Sequence, residues 1–311
     1  MFPGPSVAES EKTAPRARDT HGNILLFVLL IASSFALWWK PLISTLALAS
    51  SNEAYTYILT IIPLGLALIY LRKNELPRSD VFVTRWGWAI IVAAVVGRVI
   101  GVWTTAGSIS NHLPVSMVEL VFFWIGSTIT CFGFGTFRAL LFPLCFLFLV
   151  VPLPSRTVDW MTETLQYQSA VSTTWLFHLA QVPVTRDGVI LSLPTLDIEV
   201  ARECSSIRSS TALVVITLFF AELFLRSWWR RVVLVAIAIP LSVAKNAVRI
   251  FTIAELGTRV DASYLNGRLH HHGGIVFLSL AVAIVVFLLW LLRRSEMRHL
   301  CAKSPRARLV T

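Results

Sequence analysis

The stretch GIVFLSLAVAIVVFLLWLL, residues 274–292, decides the fold class of this chain. It holds nineteen consecutive residues without a charge, and about twenty apolar residues are needed to cross the hydrocarbon core of a bilayer as an α-helix. Arg293 and Arg294 follow it directly, as expected of basic residues that anchor a helix end among lipid headgroups. The stretch is therefore interpreted as a transmembrane helix.

Seven further apolar runs of similar length precede this one. They lie at about 23–39, 55–71, 86–103, 118–137, 139–154, 210–225 and 232–256. The chain of 311 residues is 56% hydrophobic and only 14% charged, whereas a soluble domain carries roughly a quarter of its residues charged. The sequence predicts an all-α polytopic membrane protein with about eight transmembrane helices.

The first apolar run could be mistaken for a secretory signal peptide, because an Ala-Leu-Ala at 47–49 imitates a cleavage site. The run is too long for a signal peptide and ends in Trp38-Trp39-Lys40-Pro41, well short of that site. We interpret it as a retained membrane helix. The polar residues before it, 1–22, are predicted to form a disordered cytoplasmic N-terminus.

The distribution of Lys and Arg predicts the orientation of the chain, whose net charge is +10. Most of the basic residues lie in 1–22, in 72–85, at Arg138, in 226–231 and in 293–311, and none lies in 104–117. Because basic loops remain in the cytoplasm, both termini are predicted to be cytoplasmic, with 155–209 and 257–273 on the outer side. Residues 293–311 then form a basic cytoplasmic tail. A nucleic-acid partner is not expected, since no basic face is interleaved with aromatic residues.

The predicted outer segment 155–209 has internal order. Residues 158–182 mix apolar and polar side chains with two tryptophans, which favours a helix in the membrane interface. Arg186-Asp187-Gly188 signals a turn, and apolar and acidic residues then alternate up to Val200, which predicts a short strand or hairpin. This strand-containing segment leads the chain to Cys204, just before the sixth predicted membrane helix.

Three features whose side chains could take part in a reaction lie on the predicted outer side: Cys204, Arg249 and the run His270–His272. Cysteine chemistry needs a thiolate, which a helix N-terminus or nearby cations stabilise. Cys204 has both the start of a helix and the neighbouring Arg202 and Arg208. A reactive thiol and an inert surface cysteine are both consistent with this setting.

The other three cysteines provide no expected disulfide partner for Cys204. Cys131 and Cys145 lie within apolar runs, which is typical of small packing residues. Cys301 follows a basic cluster. None of the three falls in a predicted outer loop, so a disulfide to Cys204 is disfavoured.

The seventh apolar run contains polar residues at helical spacing. Lys245, Asn246 and Arg249 share one face of a helix, because they are separated by three and four positions. Charges inside a membrane helix are costly and indicate function by default. Alternatively, Arg249 snorkels to the outer headgroups, but this does not account for the deeper Lys245 and Asn246.

Three consecutive histidines could indicate a metal-binding site. Adjacent residues cannot all coordinate one ion, however, and no Asp or Glu lies beside them. A single histidine acting as acid or base is the more economical interpretation. No metal and no cofactor are therefore expected.

Taken in order, these elements resemble the exosortase/archaeosortase family. They are RDGVI at 186–190, LDIEVARECSSI at 196–207, NAVR at 246–249 and HHHGGIVF at 270–277. The likeness covers about residues 25–292, so 23–292 is interpreted as one exosortase-like membrane domain. The resemblance implies a polytopic transpeptidase or protease whose partners are exported proteins with a C-terminal sorting signal. That signal, of the PEP-CTERM type, consists of a Pro-containing motif, one membrane helix and a basic tail.

The resemblance also implies roles for individual residues. Cys204 would be the nucleophile that forms an acyl-thioester, Arg249 would stabilise the oxyanion or donate a proton, and one of His270, His271 and His272 would activate the thiol or protonate the leaving amine. Supporting or substrate-binding roles are implied for Glu203, Arg208, Lys245 and Asn246. The chain departs from the family pattern at Ser206, where a glycine is frequent, and the spacing to Gly274 fits His270 but also its neighbours after a small shift.

The predicted function is thus that of a multi-pass enzyme of the cytoplasmic (inner) membrane, in contact with membrane lipid, with its active site on the outer face. One alternative is a binding or transport protein for an anionic or lipid-linked sugar, which would use Lys245, Asn246 and Arg249. A membrane acyl- or glycosyl-transferase with a histidine base is a third possibility, weakened by the lack of an outer acidic cluster. Only the first gives Cys204 a role.

Overall fold

The structure is a computed structural model that describes residues 20–73, 84–104, 109–194, 196–200, 207–260 and 268–303. In chain order the α-helices are α1 (Thr20–Leu37), α2 (Trp39–Ser51), α3 (Ile58–Arg72), α4 (Thr84–Thr104), α5 (Ile109–Ala139), α6 (Leu141–Phe146), α7 (Ser155–Leu179), α8 (Ile207–Phe224), α9 (Trp228–Arg259) and α10 (Arg268–Lys303). Short 3₁₀ helices, Glu53–Tyr55 and Leu147–Val150, precede α3 and follow α6. Between α7 and α8 lie three short strands, β1 (Thr185–Asp187), β2 (Ile190–Leu193) and β3 (Leu196–Glu199).

Within the described ranges, six helices are long and apolar enough to cross a membrane, and the number rises to eight if each of two bent helix pairs forms one span. The bent pairs are α1 with α2, at 71°, and Leu141–Val150 with α7, at 91°. These findings confirm the predicted all-α polytopic membrane fold with a short strand-containing segment.

The helices extend beyond the apolar runs that predicted them. α2 has no counterpart in the prediction, and α10 begins at Arg268 and continues to Lys303. The three histidines 270–272 therefore lie on the first turns of α10, before its apolar span, which begins at Gly274, and part of the predicted basic tail is helical. The reason is that hydropathy marks only the apolar part of a helix, whereas backbone hydrogen bonding continues into polar sequence.

The two cysteines within apolar runs have different environments. Cys131 is 3% exposed, which confirms its prediction as a packing residue, whereas Cys145 is exposed on α6. The prediction was wrong for Cys145 because lipid is as apolar as a protein core, so an apolar run does not reveal which of its residues face lipid.

The fifth predicted span has few helical residues, yet it runs the length of α3. At one end Nη1 of Arg72 donates to the carbonyl of Ala139 at 3.1 Å, and at the other the hydroxyl of Tyr55 donates to the carbonyl of Leu153 at 2.8 Å. From Tyr55 to Arg72 a helical chain rises about 26 Å. The facing segment covers this height with fewer residues because its 3₁₀ turn rises about 2 Å per residue and the chain is extended from Val151.

Arginines gather at one end of the bundle, which we call the basic end. Glu222, near the end of α8, is 4% exposed and accepts hydrogen bonds from Arg72 of α3 and Arg231 of α9. Glu296 of α10 accepts two backbone N–H groups of the α8–α9 loop, at 2.8 and 3.2 Å. Because a buried carboxylate in a membrane protein requires partners, these contacts hold the ends of α3, α8, α9 and α10 at one level.

The opposite end of the bundle carries a small cap, formed by α7, the three strands and residues 250–259 of α9. β2 pairs antiparallel with both β1 and β3, and Gly188, with φ of 58°, forms the turn between β1 and β2, where a residue without Cβ adopts positive φ readily. The predicted turn and hairpin are confirmed. The core of the cap consists of Ala170, Phe177, Val184, Leu191, Leu193, Val200, Ile250 and Ala254.

Helices α4 and α5 approach each other through two glycines. A Cβ added at Gly87 would lie 2.3 Å from Oγ1 of Thr130 and 2.9 Å from the carbonyl oxygen of Gly126. A Cβ at Gly126 would lie 2.9 Å from Cγ1 of Ile91. The two backbones are thus in direct contact, which is how small residues hold membrane helices together.

The substitution Gly87→Ala is therefore expected to destabilise the protein by about 1–3 kcal/mol, because α4 must move away from α5. Gly101→Ala, on the same helix, is the matched control, since its added Cβ meets nothing within 4 Å. The control is expected to be neutral or to stabilise by up to about 1 kcal/mol through helix propensity. Thermal unfolding in a non-ionic detergent, followed by tryptophan fluorescence, measures both, and equal midpoints for the two variants would contradict the close contact.

Candidate active site at the cap end

Helix α9 carries two polar side chains into the space between α7 and α8. Lys245 is 6% exposed and Asn246 is 1% exposed, although both lie within a helix that is apolar enough to span a membrane. Consecutive residues of a helix point about 100° apart, so Lys245 reaches α8 while Asn246 reaches α7. Both side chains are thus buried within the protein, but they point to two different neighbouring helices instead of the single shared face that the sequence predicted.

Lys245 is bonded to the first turn of α8. Its Nζ donates a hydrogen bond to Oγ of Ser209, and α8 begins only two residues earlier, at Ile207. Ser209 is five residues along the chain from Cys204. Cys204 and Glu203 themselves lie outside the described residues. The positive charge of Lys245 therefore lies beside the start of the helix into which the Cys204 segment leads.

Of the two polar atoms of the Asn246 side chain, one has a hydrogen-bond partner and the other does not. Its Nδ2 donates to Oγ of Ser169 on α7 at 2.9 Å. Its Oδ1 is buried, as is Oγ of Ser210 on α8, and neither has a hydrogen-bond partner among the residues that the structure describes. A buried acceptor without a partner costs about 1–3 kcal/mol, and such atoms often mark a position that a ligand or reacting group completes.

The serine partner on α7 belongs to a polar stripe that the sequence analysis missed. The buried positions Thr162, Gln166, Ser169 and Thr173 follow one another at spacings of four, three and four, which is the helical period. The mixed composition of 158–182 predicted an interface helix, but the period of its Thr, Gln and Ser residues was the signal of a buried polar face. Gln166 uses this face to donate to the carbonyl of Val200, where the strand segment ends.

The two other predicted arginines have different environments. Arg249 is half-buried and lies one turn beyond Lys245, about 6 Å further along α9. Arg208 is exposed on α8, with Nη1 at 3.8 Å from Oε1 of the equally exposed Glu53. The structure thus brings Arg249 close to the buried polar cluster and directs Arg208 to the surface. With Lys245 and Arg249 on neighbouring turns, this part of the cap end attracts negative charge.

The histidines 270–272 lie on α10, which packs against both α8 and α9 through the cluster around Leu213, Leu234 and Val285. The helix that carries them is therefore a neighbour of the helices that carry Ser209 and Lys245. The side chains of the three histidines lie outside the described part of the chain. In the part that is described, no group of three or more His, Cys, Asp or Glu side chains is placed to hold a metal ion.

A groove of about 430 Å³ runs between α7 and α9 beside this cluster. Its lining residues are Gln168, Ser172, Leu176, Ile239, Pro240, Val243, Ala244, Ala247 and Val248. Ala244 and Ala247 flank the Lys245–Asn246 pair along α9, and Ser172 faces them from α7. Small residues on both walls allow a further helix to approach closely.

A model of the transmembrane exosortase family (Exosortase_EpsH) matches residues 38–289. The chain belongs to the transmembrane exosortase family. The matched range begins beside α2 and ends at Leu289 within α10. It includes the cap, the polar cluster and the positions of Cys204 and His270–His272, so family membership concerns every helix except α1 rather than one motif. No curated protein matches the chain, and no solved structure matches it.

Replacing Asn246 tests whether its unpartnered oxygen is costly. Asn246→Leu removes Oδ1 at similar volume, and we expect the stability to change by less than about 1 kcal/mol, because the lost hydrogen bond and the relieved desolvation offset each other. Ser169→Ala is the control. It leaves Nδ2 of Asn246 without its acceptor and is expected to cost about 1–3 kcal/mol.

Both variants are compared with wild type by thermal unfolding in detergent. If Asn246→Leu loses as much stability as Ser169→Ala, the amide is a structural hydrogen-bonding element, and the interpretation of Oδ1 as an acceptor kept for a ligand is wrong.

Proposed function

We propose that this exosortase-family protein is a membrane-embedded cysteine transpeptidase or protease, which cleaves the C-terminal sorting signals of exported proteins through an acyl-thioester at Cys204. Membership of the family supports a role on exported proteins. The observation that carries the proposal is the buried Lys245, bonded to Ser209 in the first turn of α8. A fixed cation beside the start of a helix is a setting that stabilises a thiolate.

In the proposed reaction the Cys204 thiolate attacks the carbonyl carbon of the scissile peptide bond. The tetrahedral intermediate collapses with cleavage of the C–N bond, and the amine of the released fragment receives a proton from one of His270–His272 or from Arg249. The exported protein is then held as a thioester. Water or an amine then attacks the thioester carbonyl, its proton passes back to the residue that protonated the leaving amine, and cleavage of the C–S bond frees the thiolate. Covalent catalysis of this kind divides one difficult step into two easier ones.

The described residues of the cluster would support this chemistry from fixed positions. Arg249, one turn from Lys245, is proposed to stabilise the oxyanion, since a positioned cation in a poorly hydrated site acts strongly on developing charge. Oδ1 of Asn246 is proposed to accept a backbone N–H of the bound substrate, because it is a buried acceptor without a described partner. Glu203 and Arg208 are assigned supporting roles at the rim, where Arg208 meets Glu53.

The proposed topology places both termini and the basic end in the cytoplasm and the cap on the outer face of the inner membrane. The arginines at the ends of α3, α8, α9 and α10 support this orientation through the positive-inside rule. An exported substrate would reach the cap from the outer side. Its single membrane helix is proposed to pack in the groove between α7 and α9, where Ala244, Ala247 and Ser172 leave room for a close approach.

The second candidate function is binding or transport of an anionic or lipid-linked sugar. The buried Lys245 and half-buried Arg249 favour it, because cations on a membrane helix often line the path of an anion. It assigns no role to Cys204, so full function in Cys204→Ser would favour this second candidate.

The cysteine mechanism is tested by co-expression with a secreted reporter that ends in a Pro-containing motif, one membrane helix and a basic tail. We expect wild type to shorten the reporter and Cys204→Ala to leave it at full length. Cys145→Ala is the matched control, because Cys145 is exposed on α6, outside the cap, and it should cleave like wild type. Reporter size on immunoblots measures all three.

Equal shortening by Cys204→Ala would contradict the nucleophile assignment. A reporter left intact by wild type, across several signals of this type, would reject this class of signal as the substrate.

A further inference from the structure

A second cavity lies at the basic end, away from the proposed active site. It has a volume of about 600 Å³. Along α9 it is separated from Lys245 by the rise from Arg231, about 21 Å. Its walls are formed by Leu68, Leu71, Arg72, Glu222, Leu223, Phe224, Leu225, Arg226, Arg231, Arg293, Glu296 and Met297. The proposed cleavage reaction uses none of these residues.

The charged lining of this cavity is positive overall, since four arginines face two glutamates. Both glutamates are already engaged: Glu222 accepts from two of the arginines, and Glu296 accepts loop N–H groups and lies 3.5 Å from Nη1 of Arg230. Arg226 and Arg293 have no carboxylate partner in the described ranges of the chain. The cavity therefore attracts an anion and repels a basic peptide.

Contacts within the protein position three of the four arginines, namely Arg72, Arg231 and Arg293. Arg72 also donates to the carbonyl of Ala139 at 3.1 Å, and Nε of Arg231 donates to the carbonyl of Leu225 at 2.8 Å. The guanidinium of Arg293 stands over the ring of Phe224, 5.6 Å from its centroid. Fixed guanidinium groups lose little entropy on binding and match the geometry of a phosphate.

The other half of the lining is apolar. Leucines 68, 71, 223 and 225, with Phe224 and Met297, continue from the arginines along the cavity wall. Residues of this kind do not select a small hydrophilic anion, but they suit the carbon chains attached to a phosphate headgroup. A basic pocket between membrane helices, next to apolar walls, is the arrangement that holds acidic lipid headgroups.

We propose that the cavity at the basic end binds the phosphate of an anionic amphiphile, with the arginines around the phosphate and the leucines along its chains. An anionic phospholipid is the source that the apolar walls favour, and a soluble phosphate compound is the other source with the same anionic group. Binding would brace α3, α8, α9 and α10 at their shared end.

The test uses the purified full-length protein, depleted of lipid in dodecyl maltoside, and its thermal midpoint measured by tryptophan fluorescence. Phosphatidylglycerol is expected to raise the midpoint by about 4 °C or more relative to phosphatidylcholine at saturation. The double variant Arg226→Gln/Arg293→Gln is expected to lose this shift. The matched control, Arg294→Gln/Arg298→Gln, removes the same charge from residues outside the cavity and should retain the shift.

Each further outcome supports or overturns the proposal. A shift of the same size with inorganic phosphate supports the phosphate site and assigns it to a soluble source. No difference between the two lipids, an equal loss of the shift in both double variants, or stabilisation by an arginine-rich peptide in place of phosphatidylglycerol would overturn it. Arg226 and Arg293 are exposed at the surface, and the single variant Arg293→Gln, expected to weaken lipid binding at an unchanged lipid-free midpoint, separates binding from misfolding.

Discussion

A polar group buried among membrane helices needs a partner within the protein, because hydrocarbon provides none. This constraint organises both ends of the bundle. At the basic end, Glu222 is neutralised by Arg72 and Arg231, so three helices must end at the same level. At the cap end, Lys245 and Asn246 reach Ser209 and Ser169, so α9 is held between α8 and α7. The polar contacts therefore set the relative positions of helices whose apolar surfaces, all equally compatible with lipid, would not specify one arrangement.

The cap depends on the unusual fifth crossing. Because the segment after Ala139 combines a short helix, a 3₁₀ turn and extended chain, it reaches the level of Tyr55 with few residues, and α7 then turns by 91°. This turn lays the polar stripe of α7 across α9 instead of continuing through the bundle. The sheet follows, tied to α7 by Gln166, and delivers the chain to the start of α8. One end of the molecule thus brings together the polar cluster and the segment that contains the proposed nucleophile.

Much of this arrangement could be predicted from local sequence patterns. The uncharged run 274–292 predicted a membrane helix and the alternation that ends at Val200 predicted a strand, and the structure confirms both. The structure also shows that the polar side chains at 245 and 246 are buried. The partners of Lys245 and Asn246 could not be predicted in the same way, since Ser169 and Asn246 are 77 positions apart and no local pattern links them. The exposed Cys145 was mispredicted because hydropathy separates apolar from polar residues but does not separate lipid from core. The helical backbone at 270–272 could not be predicted from hydropathy, which does not separate helix from loop.

The central claim is that Cys204 becomes acylated by its substrate at the cap end. The most direct measurement is intact-protein mass spectrometry of the purified enzyme after brief incubation with a synthetic sorting-signal peptide in detergent. We predict an adduct with the mass of the peptide portion that precedes the cleavage site, removed by neutral hydroxylamine as a thioester is, and absent from Cys204→Ala. An adduct that persists in Cys204→Ala, or cleavage of the peptide by Cys204→Ala at the wild-type rate, would contradict the account.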